Sequence, residues 1–229
     1  QSGSIKPMKN HTTGIHVTLK AAISLDGKIA CAGGDSKWIT GEAARLESHR
    51  LRHENDAILV GINTVLEDDP SLTVRGIPGG VSPIRVILDS QGKLPSESKV
   101  LAEDGVRVIH VTGNQTVSSL SKPHHHLEKL QAPVPRPEIP WLLDRLQHFG
   151  IQNLLVEGGS EVHASFIKSS YVSRLHLFIA PKIIGGQTAP SWCAELGISK
   201  IADASLWRTL SISPIGPDFH LIAEPAESS

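Results

Sequence analysis

The chain has 229 residues, 39% of them hydrophobic, with 22 Lys and Arg against 23 Asp and Glu and a formal net charge of -1. This is an ordinary globular composition, long enough for one domain or two small ones. The balanced charge argues against nucleic acid or an anionic membrane as partner, and no apolar run approaches the roughly 18 residues of a membrane span.

Cys31 and Cys193 cannot build a disulfide framework and fit no metal spacing, so they read as idle thiols of a cytoplasmic protein without a metal site. The polar start, residues 1–14, lacks the apolar core of a signal peptide. Its Gln1-Ser2-Gly3-Ser4 looks like a cloning remnant, with Ile5 to Thr13 as a junction. One domain is expected over 15–225 and a short tail over 226–229.

The first predicted strand is His16 to Ser24, where Val17, Leu19 and Ala21 alternate with Thr18, Lys20 and Ala22. Ser24-Leu25-Asp26-Gly27 turns the chain, and spacing alone makes Asp26 an Asx-turn carboxylate. After a loop over Ala32 to Ser36, Thr40 reads as the N-cap of a helix reaching about Asn55. On it Arg45, His49 and Arg52 fall at i, i+4 and i+7 and share one face.

Asp56 to Gly61 is a short buried strand, followed by a helical turn ending at Asp68-Asp69-Pro70. Strands are expected at Ile84 to Asp89 and Val106 to Thr112, with a short element at Val100 to Glu103 between them. Asn114 to Pro137 reads as a surface excursion. Within it, His124-His125-His126 reads as solvated loop, since three consecutive residues cannot face one metal from a regular element.

Glu138 to Gly150 is a helix with a stripe of Ile139, Leu142, Leu143 and Leu146 and a C-terminal glycine. Asn153 to Glu157 is a buried strand, and Gly158-Gly159-Ser160 opens a helix reaching about Ser169. Strand, Gly-Gly turn and helix N-terminus form a physical anion cradle. The spacing is not that of a dinucleotide G-x-G-x-x-G. Arg174 to Ile184, Leu206 to Ile212 and Asp218 to Ala223 complete the chain, the last two as an antiparallel pair around Pro214 to Pro217. An α/β sheet with helices on both faces and an antiparallel C-terminal edge follows. Residue physics reaches a protein that binds something phosphorylated, and stops short of a reaction.

The stretches LKAAISLDGKIA, SKWIT, DDPSLTVR and NLLVEGGSEVHASF, in that order, resemble the reductase domain of the bifunctional riboflavin-biosynthesis deaminase/reductase. The similarity runs from about Val17 to about Glu224. It implies a three-layer fold similar to dihydrofolate reductase, with a mixed, mostly parallel sheet. It also implies NADPH-dependent reduction of the ribosyl group of a phosphoribosylamino-uracil to a ribityl chain.

Carried over by position, the resemblance gives Ser36, Arg52, Leu72, Arg75 and Glu157 to the substrate. Arg52 and Arg75 would clamp its phosphate, because guanidinium groups bind such oxygens bidentately. Ala22, Trp38, Thr64, Asp68 and Ser90 fall at cofactor positions, with Thr40 added as their neighbour. Gly158, Gly159, Ser160, Glu161, Val162, His163, Ala164 and Ser165 would take the pyrophosphate. Ser90 with Lys93 would grip a 2′-phosphate. The proton donor is expected to be Asp26, with a raised pKa in a dry pocket, and Lys20 is the second candidate.

The H-x-E and P-C-x-x-C signature of the zinc deaminase half does not occur, so the chain is expected to be a reductase only, either natural or cut from a larger protein that carries a deaminase domain. A homodimer is also implied. The alternatives are a reductase acting on the undeaminated pyrimidinone, an enzyme of this fold with another substrate, and a non-catalytic nucleotide-binding module.

Overall fold

The computed structural model describes residues 14–116, 120 and 124–226. The junction before Gly14 and the tail after Ala226, for which the sequence suggests a linker and a free end, lie outside the described residues.

Among the described residues, nine strands form one sheet in the order β5-β4-β3-β2-β6-β1-β7-β9-β8. They are β1 His16–Ser24, β2 Ala57–Gly61, β3 Ile84–Leu88, β4 Val108–Thr112, β5 Leu127–Gln131, β6 Asn153–Gly158, β7 Arg174–Ala180, β8 Trp207–Ile215 and β9 Asp218–Pro225. From β5 across to β7 every pairing is parallel. Then β7–β9 and β9–β8 are antiparallel. The mostly parallel sheet with an antiparallel C-terminal edge is the architecture expected.

Helices α1 Glu42–His53 and α2 Ile62–Asp68 lie on one face, α3 Ile139–His148 and α4 Ser160–Ser169 on the other. The period of two divides the strands between two cores. Val17, Leu19, Leu59, Leu154 and Val156 meet Leu142, Leu143 and Leu146 of α3 and Phe166 of α4. Ile58, Val60, Ile87, Leu155 and Phe178 meet Ala44 and Leu51 of α1 and Val65 of α2. Strand β2 is buried throughout because it is covered on both sides.

Two expectations are corrected. Thr40 does not cap α1: the N-cap is Gly41, whose amide donates to the Asp218 carboxylate at 2.7 Å. A buried carboxylate from the β8–β9 turn replaces the local hydroxyl. The excursion from Asn114 to Pro137 also contains a strand, β5, parallel to β4 at the sheet's edge. Its LEKLQ sequence carries charge because an edge strand has little to bury and is protected by polar groups. In the described part of that excursion, His125 is exposed and the His124 and His126 rings meet edge-on at 6.2 Å.

Candidate active site

The C-terminal ends of the parallel strands open into a cleft of about 1730 Å³. A pocket for one small molecule measures roughly 300–1,000 Å³, so the cleft has room for two ligands. It sits where strand order reverses, with β6 inserted between β2 and β1. Such switch points leave a crevice beyond the strand ends.

A charged cluster forms the floor. In β6, Val156 pairs with Leu59 and Gly158 with Val60, leaving Glu157 as an extra residue between them. This bulge re-aims its side chain. On the other side Leu19 lies beside Val156, so Lys20 lies beside Glu157 and faces the α1 side with it. Lys20 Nζ is 3.7 Å from Glu157 Oε2. From α1, Arg52 grips the same carboxylate with Nε at 2.7 Å and Nη2 at 2.8 Å, and its Nη1 donates to the Thr73 carbonyl at 3.0 Å.

Burial drives the Glu157 pKa up, but Arg52 and Lys20 outweigh it and hold the carboxyl at about 2. Burial is also the main force on Lys20 and lowers its pKa; Glu157 works against that and Arg52 adds to it. Lys20 therefore gives up a proton more readily than a free lysine.

Arg52 thus has partners that its expected role did not include. It is bound to Glu157 rather than standing free as half of a phosphate clamp. Three of its five N–H groups are committed, and two remain. Arg75 keeps an exposed guanidinium on the cleft rim. Ser36 lines the cleft but donates its hydroxyl to Asp68 at 3.1 Å. Leu72 buries its side chain and enters the cleft wall with a φ of 53°, a costly conformation for leucine.

The other end of the cleft is built from backbone and small groups. Gly159 has a φ of 85°. A Cβ on Gly158 would stand 3.2 Å from Thr64 Oγ1, and one on Gly61 would stand 2.8 Å from Val162. Only glycines let α2 and the start of α4 approach so closely. In the first turn of α4 the Val162 amide donates to the Gly159 carbonyl at 3.0 Å, and the Ser160 and Glu161 amides are the ones left to face this space. Ala22, Trp38, Thr40, Thr64, Asp68, Ser90 and Lys93 line the same cleft. Trp38 is 63% exposed, with the Arg45 guanidinium 4.7 Å from its ring centre. It is a wall of the cleft and not a core aromatic.

Two of the expected site residues stand outside the cleft. Asp26 does not line the cleft. Its carboxylate accepts the Ser24 hydroxyl at 2.6 Å and the amides of Ile184 and Gly185 at 3.1 and 2.7 Å. The Ser24 hydroxyl first, then those two amides, hold its pKa at about 2, the opposite of what a proton donor needs. Ala164 is buried in α4 away from the cleft. His163 borders the cleft, yet both ring nitrogens face carbonyls, of Trp192 at 2.9 Å and Val156 at 3.3 Å. Of the acidic and basic groups in the cradle segment, Glu161 points its side chain to Arg136 at 3.9 Å, leaving its amide as the group that can meet an anion.

Two contacts had no local signal. Glu157 and Arg52 are 105 positions apart, and the Arg45–Trp38 stack depends on a loop geometry that the sequence does not encode by period.

Residues 15–221 match the family of the RibD C-terminal domain. The riboflavin biosynthesis protein RibD of Bacillus amyloliquefaciens is 40% identical over 215 residues, covering 93% of this chain and 58% of that protein. A 2,5-diamino-6-ribosylamino-4(3H)-pyrimidinone 5′-phosphate reductase of Methanothermobacter thermautotrophicus is 40% identical over 191 residues, covering 82% of this chain and 88% of that one. The chain therefore spans little more than half of its RibD relative and most of the archaeal reductase. Among solved structures, a Thermotoga maritima deaminase/5-amino-6-(5-phosphoribosylamino)uracil reductase superposes with a TM-score of 0.80 at 33% identity. That superposition covers 93% of this chain and 57% of the other. A dihydrofolate reductase from Enterococcus faecalis, at 12% identity, superposes with a TM-score of 0.52 over 93% of this chain and 98% of its own, a likeness of fold.

Proposed function

This chain belongs to the RibD C-terminal domain family, and from that premise we propose that it is an NADPH-dependent reductase of riboflavin biosynthesis. It reduces 5-amino-6-(5-phosphoribosylamino)uracil to the ribitylamino phosphate. The observation that carries the reading is the Lys20–Glu157–Arg52 cluster on the floor of a two-ligand cleft.

The cleft's small-residue end fits a dinucleotide. Gly158 and Gly61 let Thr64 and Val162 pack closely, which holds the start of α4 at the cleft, where its free amides would receive the pyrophosphate. Trp38, Thr40, Thr64, Asp68 and Ala22 line the path, and Ser90 with Lys93 holds the 2′-phosphate. The bound nicotinamide supplies a hydride. The protein's own residues bind, orient and protonate.

At the charged end, Arg75 and the two uncommitted N–H groups of Arg52 meet the substrate phosphate, with Ser36 and the Leu72 backbone beside them. Glu157 accepts from ribose hydroxyls while its own charge stays balanced by Arg52 and Lys20. Opening of the ribose ring breaks its C1′–O bond and gives an imine, and that carbon accepts the hydride more readily once the imine nitrogen carries a proton. Lys20 is the donor of that proton, since it stands in the cleft with a lowered pKa.

A second substrate has a specific observation in its favour. The archaeal pyrimidinone phosphate reductase matches this chain as closely as RibD does, and over most of its own length. The deciding experiment follows loss of nicotinamide absorbance with NADPH and either the deaminated uracil or the undeaminated pyrimidinone. Turnover of the uracil alone is expected. Turnover of the pyrimidinone alone would move the chain to the pre-deamination reaction, and turnover of neither would remove the reductase reading. The RibD relative extends beyond the matched region, and a zinc deaminase domain is the partner that this reading proposes. The exposed Leu210, Ile212 and Phe219 of β8 and β9 supply the surface for a homodimer. No helix among the described residues is long and apolar enough to cross a membrane, in keeping with a cytoplasmic enzyme.

A further inference from the structure

His49 lies one turn before Arg52 on α1 and lines the cleft. Its Nδ1 is 3.1 Å from the Thr73 carbonyl oxygen and 3.3 Å from the Arg75 amide nitrogen. One ring nitrogen cannot serve both. With a hydrogen it donates to Thr73, and bare it accepts from Arg75. The neighbouring bonds decide between them. The Thr73 carbonyl already accepts Arg52 Nη1 at 3.0 Å, so a bare Nδ1 gives both backbone groups a partner, an arrangement that favours the imidazole hydrogen on Nε2.

The segment that His49 touches needs an anchor. Asp69 and Leu72 have φ values of 40° and 53°, left-handed conformations that side chains other than glycine adopt at a cost. Arg75 follows three residues later with an exposed guanidinium on the rim. We infer that His49 is a positioning residue for Arg75. Its bare Nδ1 accepts the Arg75 amide and fixes the backbone that presents the guanidinium to the substrate phosphate. The substrate half of this inference rests on the reductase reading above.

Acid undoes the arrangement. A protonated Nδ1 cannot accept the Arg75 amide and competes with Arg52 for Thr73 instead. The charged groups around the ring are Arg52 on its own helix, Arg75 from the loop, and Glu157 on β6 with Lys20 behind it. Burial first, then Arg52 and Arg75, keep His49 neutral below the ordinary 6.5, and Glu157 opposes them.

The test compares H49A, H49N and the wild type. Asparagine places an acceptor near the Nδ1 position and has no proton to gain. H49A is expected to raise KM for the phosphorylated substrate roughly five- to tenfold, with kcat moved less, and H49N to restore most of that loss. As the pH is lowered from 8 to well below the ordinary histidine value of 6.5, as far as the fold persists, wild-type KM rises more steeply than that of H49N. The substrate phosphate titrates near pH 6 in both proteins, so the difference between the two profiles isolates His49.

Superimposable KM profiles, or failure of H49N to recover what H49A lost, would overturn the inference. A second arm needs no substrate. In ¹⁵N-labelled protein at pH 8, the His49 resonances, identified by their loss in H49N, should show Nε2 protonated and Nδ1 bare. A protonated Nδ1 overturns the inference even where the enzyme turns over. Absence of turnover in the wild type sinks the reductase reading by itself and leaves the tautomer result to decide the role of His49.

Discussion

Among the described residues, buried Arg85 and largely buried Arg52 each grip a carboxylate, and only Arg52 opens into the cleft. Arg85 on β3 has no exposed surface. It pairs with Asp104 through both terminal nitrogens, donates to the Val100 carbonyl at 3.1 Å, and leaves Nε buried without a partner. Arg52 on α1 makes a similar fork with Glu157. The difference lies in what surrounds each pair. Arg85 is enclosed between β3 and the turn Lys99–Leu101, and its carboxylate opens to solvent. Arg52 and Glu157 open into a cleft, share a third charge in Lys20, and keep N–H groups uncommitted. A buried ion pair by itself says little about function, because such pairs also serve packing. Spare hydrogen-bonding capacity facing an empty volume is what separates the two.

Removing the carboxylate at each place tests that contrast most directly. Glu157→Gln leaves Lys20 and Arg52 facing each other without a counter-charge and lowers the lysine pKa further. Turnover with NADPH should fall by roughly a hundred- to a thousandfold, while circular dichroism retains the wild-type fold. Near-normal turnover in this variant would mean that the two arginine pairs are equivalent after all, and that the charged floor is scaffolding.

Asp104→Ala should show the reverse. An uncompensated Arg85 costs about 3 kcal/mol, the lower end for breaking a buried pair because Asp104 keeps a third of its surface in water. Denaturant unfolding would read this as a lower midpoint. Turnover per folded molecule should stay unchanged, and a fall in it would show that the β3 edge communicates with the cleft.

Asp218 offers an intermediate case, a buried carboxylate bonded to backbone and not to arginine. It caps α1, the helix that carries Arg45, His49 and Arg52 into the cleft. Asp218→Ala should cost about 1 kcal/mol of stability. Asp218→Asn, which keeps an acceptor, should recover part of it. Equal stabilities for all three proteins, measured by thermal melting, would mean that Gly41 finds another acceptor.

These contacts also show what the sequence could and could not disclose. The alternation in HVTLKAAIS, the stripe Ile139, Leu142, Leu143, Leu146 and the Gly158-Gly159 turn are local patterns, and the corresponding elements stand where they were expected. Strand β5 escaped because an edge strand such as LEKLQ needs no apolar face. The face shared by Arg45, His49 and Arg52 was readable from helical spacing, but their partners were not. Glu157 is 105 residues from Arg52, and Asp218 is 177 from Gly41. Family resemblance located the residues of the cleft more accurately than their bonds. It could not show that Arg52 and Ser36 already have partners.

The Lys28 amide goes to Ser24, and the amides on Asp26 come from Ile184 and Gly185. Asp26 is thus not the Asx-turn carboxylate that spacing suggested, nor is it a cleft residue, and it supplies the smallest expected effect. Its carboxylate is held by a hydroxyl and two amides, with no arginine and no cleft. Because its folded pKa of about 2 lies below the ordinary 3.8, the unfolded chain takes up the proton first as pH falls. The stability it confers is therefore complete above about pH 4 and disappears as pH falls through 2. Asp26→Asn should melt slightly below the wild type at pH 7, and the gap should close in that acid window. Turnover and its pH profile should be unaltered, because neither the carboxylate nor the turn it ties to Ile184 and Gly185 enters the cleft. A large loss of turnover with a normal melting temperature would return Asp26 to the chemistry. It would also mean that a carboxylate saturated by neutral donors can act from outside the cavity, against the distinction that the two arginines draw.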